Sequence, residues 1–208
     1  MLRSLSLAAL LGGLILSASA QAVDVDPATY GYPITNPFEA TIATTPPQMR
    51  PYLPSEDDIR QSDYSLTLRP EREFTLPANF WAVKKLTYRM ARQDHPAPLM
   101  FLIAGTGAPY NSSLNEYLKK LFYQAGYHVV QLSSPTSYDF MSAASRFATP
   151  GISQYDAEDL YHVMQAVRAQ QADVPVTDYY LSGYSLGALD AAFVSHLDET
   201  RKSFNFKK

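Results

Sequence analysis

Residues 176–192 read VTDYYLSGYSLGALDAA and carry the signal that decides the fold. The segment before Gly183 is rich in Val, Tyr and Leu and is strand-forming, whereas the segment after Gly187 is helix-forming. Between them lies the motif G-x-S-x-G, with Ser185 at its centre. The motif predicts a very tight strand-to-helix turn, in which the serine hydroxyl stands clear of the backbone. The two glycines leave room for that turn to close.

Ser185 is therefore a candidate nucleophile. The helix that follows starts at this serine, so its N-terminal dipole and the amide of Leu186 favour negative charge that develops there. The alternative interpretation is a glycine-rich turn whose serine is merely small and polar.

Apolar runs predict the other central strands. Residues 129–132 (VVQL) predict one strand, and residues 99–104 (LMFLIA) form a continuous apolar run without the polar alternation of a half-exposed strand. Strands that are covered on both faces have this composition, and they are typical of parallel sheets. Upstream, residues 73–76 and 85–90 alternate between polar and apolar residues, as half-buried strands do.

Helices are predicted between these strands. Ser113 and Glu116 form a capping box ahead of an apolar stripe at helical spacing, and Gly126 ends that helix. Ser153 with Asp156 opens a second capped helix, and a third begins at Ala188. The alternation of strands and helices predicts the α/β class, as a three-layer α/β sandwich with a mostly parallel sheet.

The N-terminal part has a different character. Residues 21–72 hold eight of the fifteen prolines, interspersed with tyrosines, and this composition predicts an irregular arm. The arm either lays its aromatic side chains over the following domain or acts as a flexible spacer.

The first twenty residues have the features of an export signal. Arg3 supplies a positive charge, residues 5–16 are almost wholly apolar, and the small residues 18–20 fit a cleavage site. We expect cleavage after Ala20 or Ala22 and a protein exported to the periplasm or secreted. A membrane anchor is the alternative, but about twelve apolar residues fall short of the ~20 that span a bilayer, so no stable membrane span is expected in the mature chain.

Composition excludes several classes of function. The chain is 46% hydrophobic, enough for a core, and its net charge of −3 gives no basic field for nucleic acid. It contains no cysteine, which removes disulfides, thiolate–zinc sites, iron–sulfur clusters and a cysteine nucleophile. We therefore expect no nucleic-acid partner, no cofactor and no metal.

The motif and the order of elements resemble the α/β-hydrolase superfamily over residues 73–208. In that family, two antiparallel strands precede the alternating part, and a loop after the third strand supplies backbone donors to the oxyanion. Here the loop has the sequence AGTG at residues 104–107, with Ala104 where the family usually has histidine. The resemblance implies that the N–H of Thr106 is the second oxyanion donor beside that of Leu186, and Gly105 and Gly107 are the loop glycines.

A phosphate-binding interpretation of the same glycines fails. A dinucleotide fingerprint would need a third glycine where Tyr110 stands, and a P-loop would need Gly-Lys followed by Ser or Thr. The chain also lacks the His-Arg-Asp loop of a protein kinase.

A serine hydrolase needs a histidine base, and none of the four histidines is well placed. His95 and His128 precede or open strands, so they belong to the edge opposite the motif, and His162 lies in mid-helix. His196 follows Ser185 on the same helix, roughly 16 Å away at about 1.5 Å per residue. The acidic residues are no better placed to orient a base, because Asp190 and Asp198 lie on the same helix, which leads away from Ser185.

In the family, the triad acid and histidine follow the serine on later strands. Residues 204–208 are typical of the start of a further strand, and the chain resembles the N-terminal half of a hydrolase. We therefore expect it to be incomplete at its C-terminus and catalytically silent by itself.

These observations predict an exported serine hydrolase that acts through an acyl-enzyme on an ester, thioester or amide, with a small-molecule or lipid-like acyl substrate. The alternative is a non-catalytic binding protein with the same fold. Residues 133–152 show no periodicity and follow a strand on its carboxyl side. We expect Tyr138, Phe140 and Phe147 in this loop to wall the substrate pocket, the alternative being a mobile surface loop.

Overall fold

A computed structural model of the chain describes residues 31–43, 50–70 and 84–207. The expected signal peptide (1–20) and the strand expected at 73–76 lie outside these residues. The chain divides into two compact units, Met1–Pro51 and Tyr52–Lys208. In the first unit, the described residues form helix α1 (Pro37–Ile42), whose N-cap Asn36 accepts hydrogen bonds from the N–H groups of Phe38 and Glu39.

The second unit is built around a five-stranded sheet in the order β1-β2-β4-β3-β5. The strands are β1 (Gln61–Leu66), β2 (Leu86–Ala91), β3 (Ala97–Ile103), β4 (His128–Leu132) and β5 (Val176–Gly183). The helices are α2 (Ser113–Gln124), α3 (Tyr138–Ala143), α4 (Ser153–Gln170) and α5 (Leu186–Arg201), with a 3₁₀ turn at Glu56–Asp58. Strand β2 pairs antiparallel with β1 and β4, and β3 pairs parallel with β4 and β5.

The two faces of the sheet contact different helices, which makes three layers. On β3, Phe101 and Ile103 join a buried cluster with apolar residues of α3, α4 and α5. Leu102 points the other way, into a cluster with Leu118 and Phe122 of α2. Because successive side chains of a strand alternate between faces, one apolar run serves both layers. The predicted α/β sandwich with a mostly parallel sheet is confirmed.

Strand β1 corrects the boundary that we expected for the irregular arm. Residues 21–72 were expected to be irregular throughout, but Gln61–Leu66 pairs with β2 along its whole length. The segment is polar and half exposed, so no apolar alternation marks it. Its partners hold it in place, since Tyr64 stacks on Tyr88 with 5.5 Å between ring centroids and Asp63 accepts hydrogen bonds from Arg89.

The helix caps also differ from the expectation. Helices α2 and α4 do begin at Ser113 and Ser153, but the N-cap residues are Ser112 and Ile152, and neither side chain caps its helix. Glu116 turns away from the helix end to Arg89 and Gln131. The predicted serines are thus the first helical residues, and the Glu116 carboxylate accepts hydrogen bonds from the sheet instead of from the helix end.

The loop expected at residues 133–152 contains a short helix, α3. Phe140 lies on it and is fully buried in the core, so it does not wall a pocket as we expected. Tyr138 and Phe147 are exposed by 69% and 58%. The apolar spacing of six helical residues is too short to show as periodicity in the sequence.

Residues 202–207 follow α5 without forming a strand. Phe204 is buried and packs its ring against Phe101, Tyr161 and Tyr179. The N–H of Lys207 donates to the carbonyl of Tyr179 on β5 at 2.9 Å. Among the described residues, no helix is both long enough and apolar enough to cross a membrane.

Candidate active site

Ser185 occupies the turn between β5 and α5 in a strained backbone conformation, with φ 54° and ψ −127°. Non-glycine residues seldom adopt positive φ, and this conformation costs on the order of 1–3 kcal/mol, so it persists only where the surrounding structure imposes it. Ser185 is exposed, whereas Gly187 behind it is buried. The turn therefore holds the hydroxyl clear of the sheet at the carboxyl end of β5.

Close backbone packing imposes this turn. A Cβ on Gly183 would lie 2.2 Å from the carbonyl oxygen of Gly187, and a Cβ on Gly187 would lie 2.4 Å from that of Ile103. Both distances are far inside van der Waals contact, so the backbones meet only because side chains are absent. The two motif glycines thus have the steric role that the sequence assigned to them.

The loop after β3 lies against the turn. A Cβ on Gly105 would meet Cε2 of Tyr184 at 2.7 Å and Cβ of Ser185 at 3.1 Å. The parallel register explains the contact, because Ile103 and Gly183 are partners at the carboxyl ends of β3 and β5. The hydroxyl of Tyr184 contacts that of Ser112 at 2.9 Å and fixes its ring over Gly105.

Two backbone N–H groups are free at this edge. Within the described part of the chain, neither Thr106 nor Leu186 donates its N–H to a protein acceptor, whereas Gly107 N–H donates to Thr136 Oγ1 at 2.7 Å. Leu186 is the first residue of the sixteen-residue helix α5, whose N-terminus carries partial positive charge. The structure thus brings Ser185, Leu186, Gly105 and Thr106 to one edge of the sheet.

Comparison with solved structures identifies the architecture. A dienelactone hydrolase from Anabaena variabilis aligns with a TM-score of 0.51 and 14% identity, over 68% of this chain and 59% of that one. The strand order and the strand–serine–helix turn agree with this likeness. The chain has the α/β-hydrolase fold. It spans about three fifths of the dienelactone hydrolase.

Other solved α/β-hydrolase structures are similar at lower scores. A bacterial brefeldin A esterase gives a TM-score of 0.49 at 15% identity, over 70% of this chain and 37% of that one. A carboxyl esterase from Tuber melanosporum gives 0.46 at 17% identity, over 70% and 42%. No protein-family model matches the chain, and no curated protein matches it.

The four histidines of the chain lie away from Ser185. His95 precedes β3 and contacts Asp94, and His128 is the buried first residue of β4, both at the amino edge of the parallel strands. His162 is exposed on α4, and His196 is exposed on α5 beside Glu199. The sequence predicted the position of each of these histidines in the fold, and none of them is positioned to act as a general base for Ser185.

One carboxyl group near the turn has an unusual environment. Asp190, five residues after Ser185, is 1% exposed, and its Oδ2 has no hydrogen-bond partner in the described structure. Burial raises the pKa of Asp190 to about 7, and the charge of Asp156 acts in the same direction. Asp156 is itself buried and accepts the N–H of Gly151 at 2.8 Å. Sequence reasoning missed this environment, since an aspartate on a helix carries no mark of burial.

Sequence reasoning also missed a polar cluster after β4. Ser133, Ser134 and Ser137 are at most 3% exposed, and they hydrogen-bond with Thr136 and Asp139. The density of Ser, Thr and Asp in residues 133–139 (SSPTSYD) was its only sequence signal. Among the described residues, no group of three or more metal-ligating side chains is placed to hold a metal ion.

Proposed function

We propose that the protein is a serine hydrolase that cleaves an ester, thioester or amide through an acyl-enzyme on Ser185. The observation that carries this proposal is the strained, exposed Ser185, with Gly105 packed against its Cβ. A backbone strain of this kind persists only where surrounding structure imposes it, and such strain clusters at active sites. The α/β-hydrolase fold supports the same reaction class.

The chemistry follows from the groups at the edge. Ser185 Oγ attacks the substrate carbonyl and gives up its proton to a base, while the carbonyl electrons move to oxygen. The N–H groups of Leu186 and Thr106 donate to that oxyanion, and the N-terminus of α5 stabilises its charge. Collapse of the intermediate expels the alcohol, thiol or amine, and water then hydrolyses the acyl-enzyme. The substrate is a small or lipid-like acyl compound.

The base is the group that the described structure does not supply. None of the four histidines lies beside Ser185, so the described residues place no histidine base at this edge. The same observation favours a second candidate function, a non-catalytic binding protein that keeps the strained turn.

Labelling with a fluorophosphonate separates the two functions. The reagent phosphonylates an activated serine, so in the full-length protein we expect labelling of Ser185, detected by mass spectrometry of the peptide around 183–187. Ser195→Ala, a serine change farther along α5, should label normally, and Ser185→Ala should not label. A full-length protein that stays unlabelled would support the binding function.

Export is part of the proposal and rests on residues 1–22. We expect the mature protein in the periplasm or the medium, because the short apolar segment directs export without anchoring the chain. N-terminal sequencing of the protein from each cell fraction checks this expectation. A mature N-terminus at Gln21 or Val23 agrees with it, and a cytoplasmic protein that starts at Met1 contradicts it.

A further inference from the structure

The polar cluster after β4 holds the loop that carries the proposed oxyanion donor. We call Ser133, Ser134, Thr136, Ser137 and Asp139 the polar clamp. Its serines and Thr136 lie between β4 and α3, and Asp139 is in the first turn of α3. The loop that it contacts, residues 104–110, follows β3. Strands β3 and β4 are parallel neighbours, with Ile103 opposite Leu132, so both segments leave the sheet at the same edge.

The first contact holds the centre of the loop. Gly107 N–H donates to Thr136 Oγ1 at 2.7 Å, and Thr136 Oγ1 lies 2.8 Å from Ser134 Oγ. The backbone of Ser134 adds a bond, since its N–H donates to the carbonyl of Ala108 at 3.0 Å. Ser134 is fully buried, so Thr136 is supported from the interior of the protein.

The second contact holds the end of the loop. Tyr110 N–H donates to Ser133 Oγ at 2.9 Å, and Ser133 Oγ donates its own proton to Asp139 at 2.6 Å. Ser137 Oγ donates to the other oxygen of Asp139. Because the hydroxyl of Ser133 donates its hydrogen bond to the carboxylate of Asp139, the lone pairs on Ser133 Oγ can accept the N–H of Tyr110.

Thr106 lies between two fixed points. On one side, Gly105 packs against Tyr184 and Ser185, and on the other, Gly107 is held by Thr136. Gly107 has φ 69°, a conformation that favours glycine, and it lies in a turn closed by a hydrogen bond from Ala108 N–H to the carbonyl of Gly105 at 3.0 Å. The bond from Thr136 holds the Thr106–Gly107 peptide and thereby fixes this turn, whose Gly105–Thr106 peptide carries the Thr106 N–H.

We propose that Thr136 is a positioning residue, which aligns the Thr106 N–H with the oxyanion by holding Gly107. The inference rests on the proposed hydrolase function. Hydrogen-bond donors stabilise an oxyanion only when they are aligned in advance, so a loosened loop loses stabilisation in the transition state rather than affinity for the substrate.

The test compares Thr136→Val, which keeps the shape and removes the hydroxyl, with Thr136→Ser, which keeps the hydroxyl. In the full-length protein, Thr136→Val should lower kcat for p-nitrophenyl acetate on the order of tenfold, with KM within about twofold. Thr136→Ser should restore kcat, and Thr200→Val, the same change at the exposed end of α5, should leave it unaltered. Hydrogen exchange of residues 104–110 should be faster in Thr136→Val only.

The outcomes distinguish this inference from the function on which it rests. If hydrogen exchange of residues 104–110 is unchanged in Thr136→Val, then Thr136 does not hold the loop, whatever the activity of the variant. Faster exchange with unchanged kcat, in a protein whose hydrolysis depends on Ser185, would overturn the positioning role alone. A wild-type protein that is not labelled at Ser185 would instead show that the proposed hydrolase function fails.

Discussion

Ser185→Ala is expected to abolish ester hydrolysis by the full-length protein while leaving its thermal unfolding midpoint nearly unchanged. Removing the serine of a complete triad costs on the order of 10⁶ in kcat, which corresponds to about 8 kcal/mol of transition-state stabilisation. The folded state loses little, because Ser185 is exposed and its Oγ has no hydrogen-bond partner among the described residues. Hydrolysis of p-nitrophenyl esters and differential scanning calorimetry measure the two effects.

Two further variants separate chemistry from backbone strain. Ser195→Ala should keep full activity, since it removes a serine hydroxyl elsewhere on α5. Ser185→Gly should be as inactive as the alanine variant but more stable than wild type by about 1 kcal/mol, because glycine tolerates the positive φ that serine adopts under strain. If Ser185→Ala retains activity within a few-fold, another group attacks the carbonyl and the assignment is wrong.

The fold could be predicted largely from local patterns. The apolar runs of β3 and β4, the motif at residues 183–187 and the helical stripe of α2 each mark an element within a few residues of its position. Buried parallel strands and a tight turn leave strong local signals, because burial on both faces demands continuous apolar side chains and close backbone approach demands glycine.

Elements that depend on distant partners could not be predicted in the same way. Strand β1 is polar, and pairing with β2 across the nineteen intervening residues is what makes it a strand. Phe140 looked like a pocket residue because its loop is irregular in sequence, yet the core buries it. In both cases tertiary contacts decide the outcome, and sequence patterns do not record them.

The candidate site shows the same contrast between features that local sequence marks and features that depend on distant contacts. Ser185, its glycines and the amide of Leu186 follow from the motif, and the resemblance to the α/β-hydrolase superfamily implies the N–H of Thr106. The polar clamp does not, because its hydrogen bonds join residues 107 and 136, which only the parallel register of β3 and β4 brings together. The burial of Asp190 depends likewise on how α5 packs against α4.

Asp190 gives the protein a pH-dependent loss of stability. In the folded chain burial raises the pKa of this carboxyl from 3.8 to about 7, whereas in the unfolded chain it is near its ordinary value. The folded state therefore holds a proton that the unfolded state releases. The stability associated with protonated Asp190 is fully present below about pH 4 and is lost as pH rises through the folded-state pKa near 7.

Asp190→Asn should remove this dependence, because the amide has nearly the same shape and carries no charge at any pH. The difference in free energy of unfolding between Asp190→Asn and wild type should rise by roughly 3 kcal/mol from about pH 4.5 to pH 8, because wild type loses stability over this range and each pKa unit corresponds to about 1.4 kcal/mol. Urea unfolding followed by circular dichroism at both pH values measures the difference. Asp57→Asn, at an exposed carboxylate, should give the same small change at both. A constant difference for Asp190→Asn across this range would mean that Asp190 is ionised and solvated in the folded protein, and that α4 and α5 are packed less tightly around it than the structure has them.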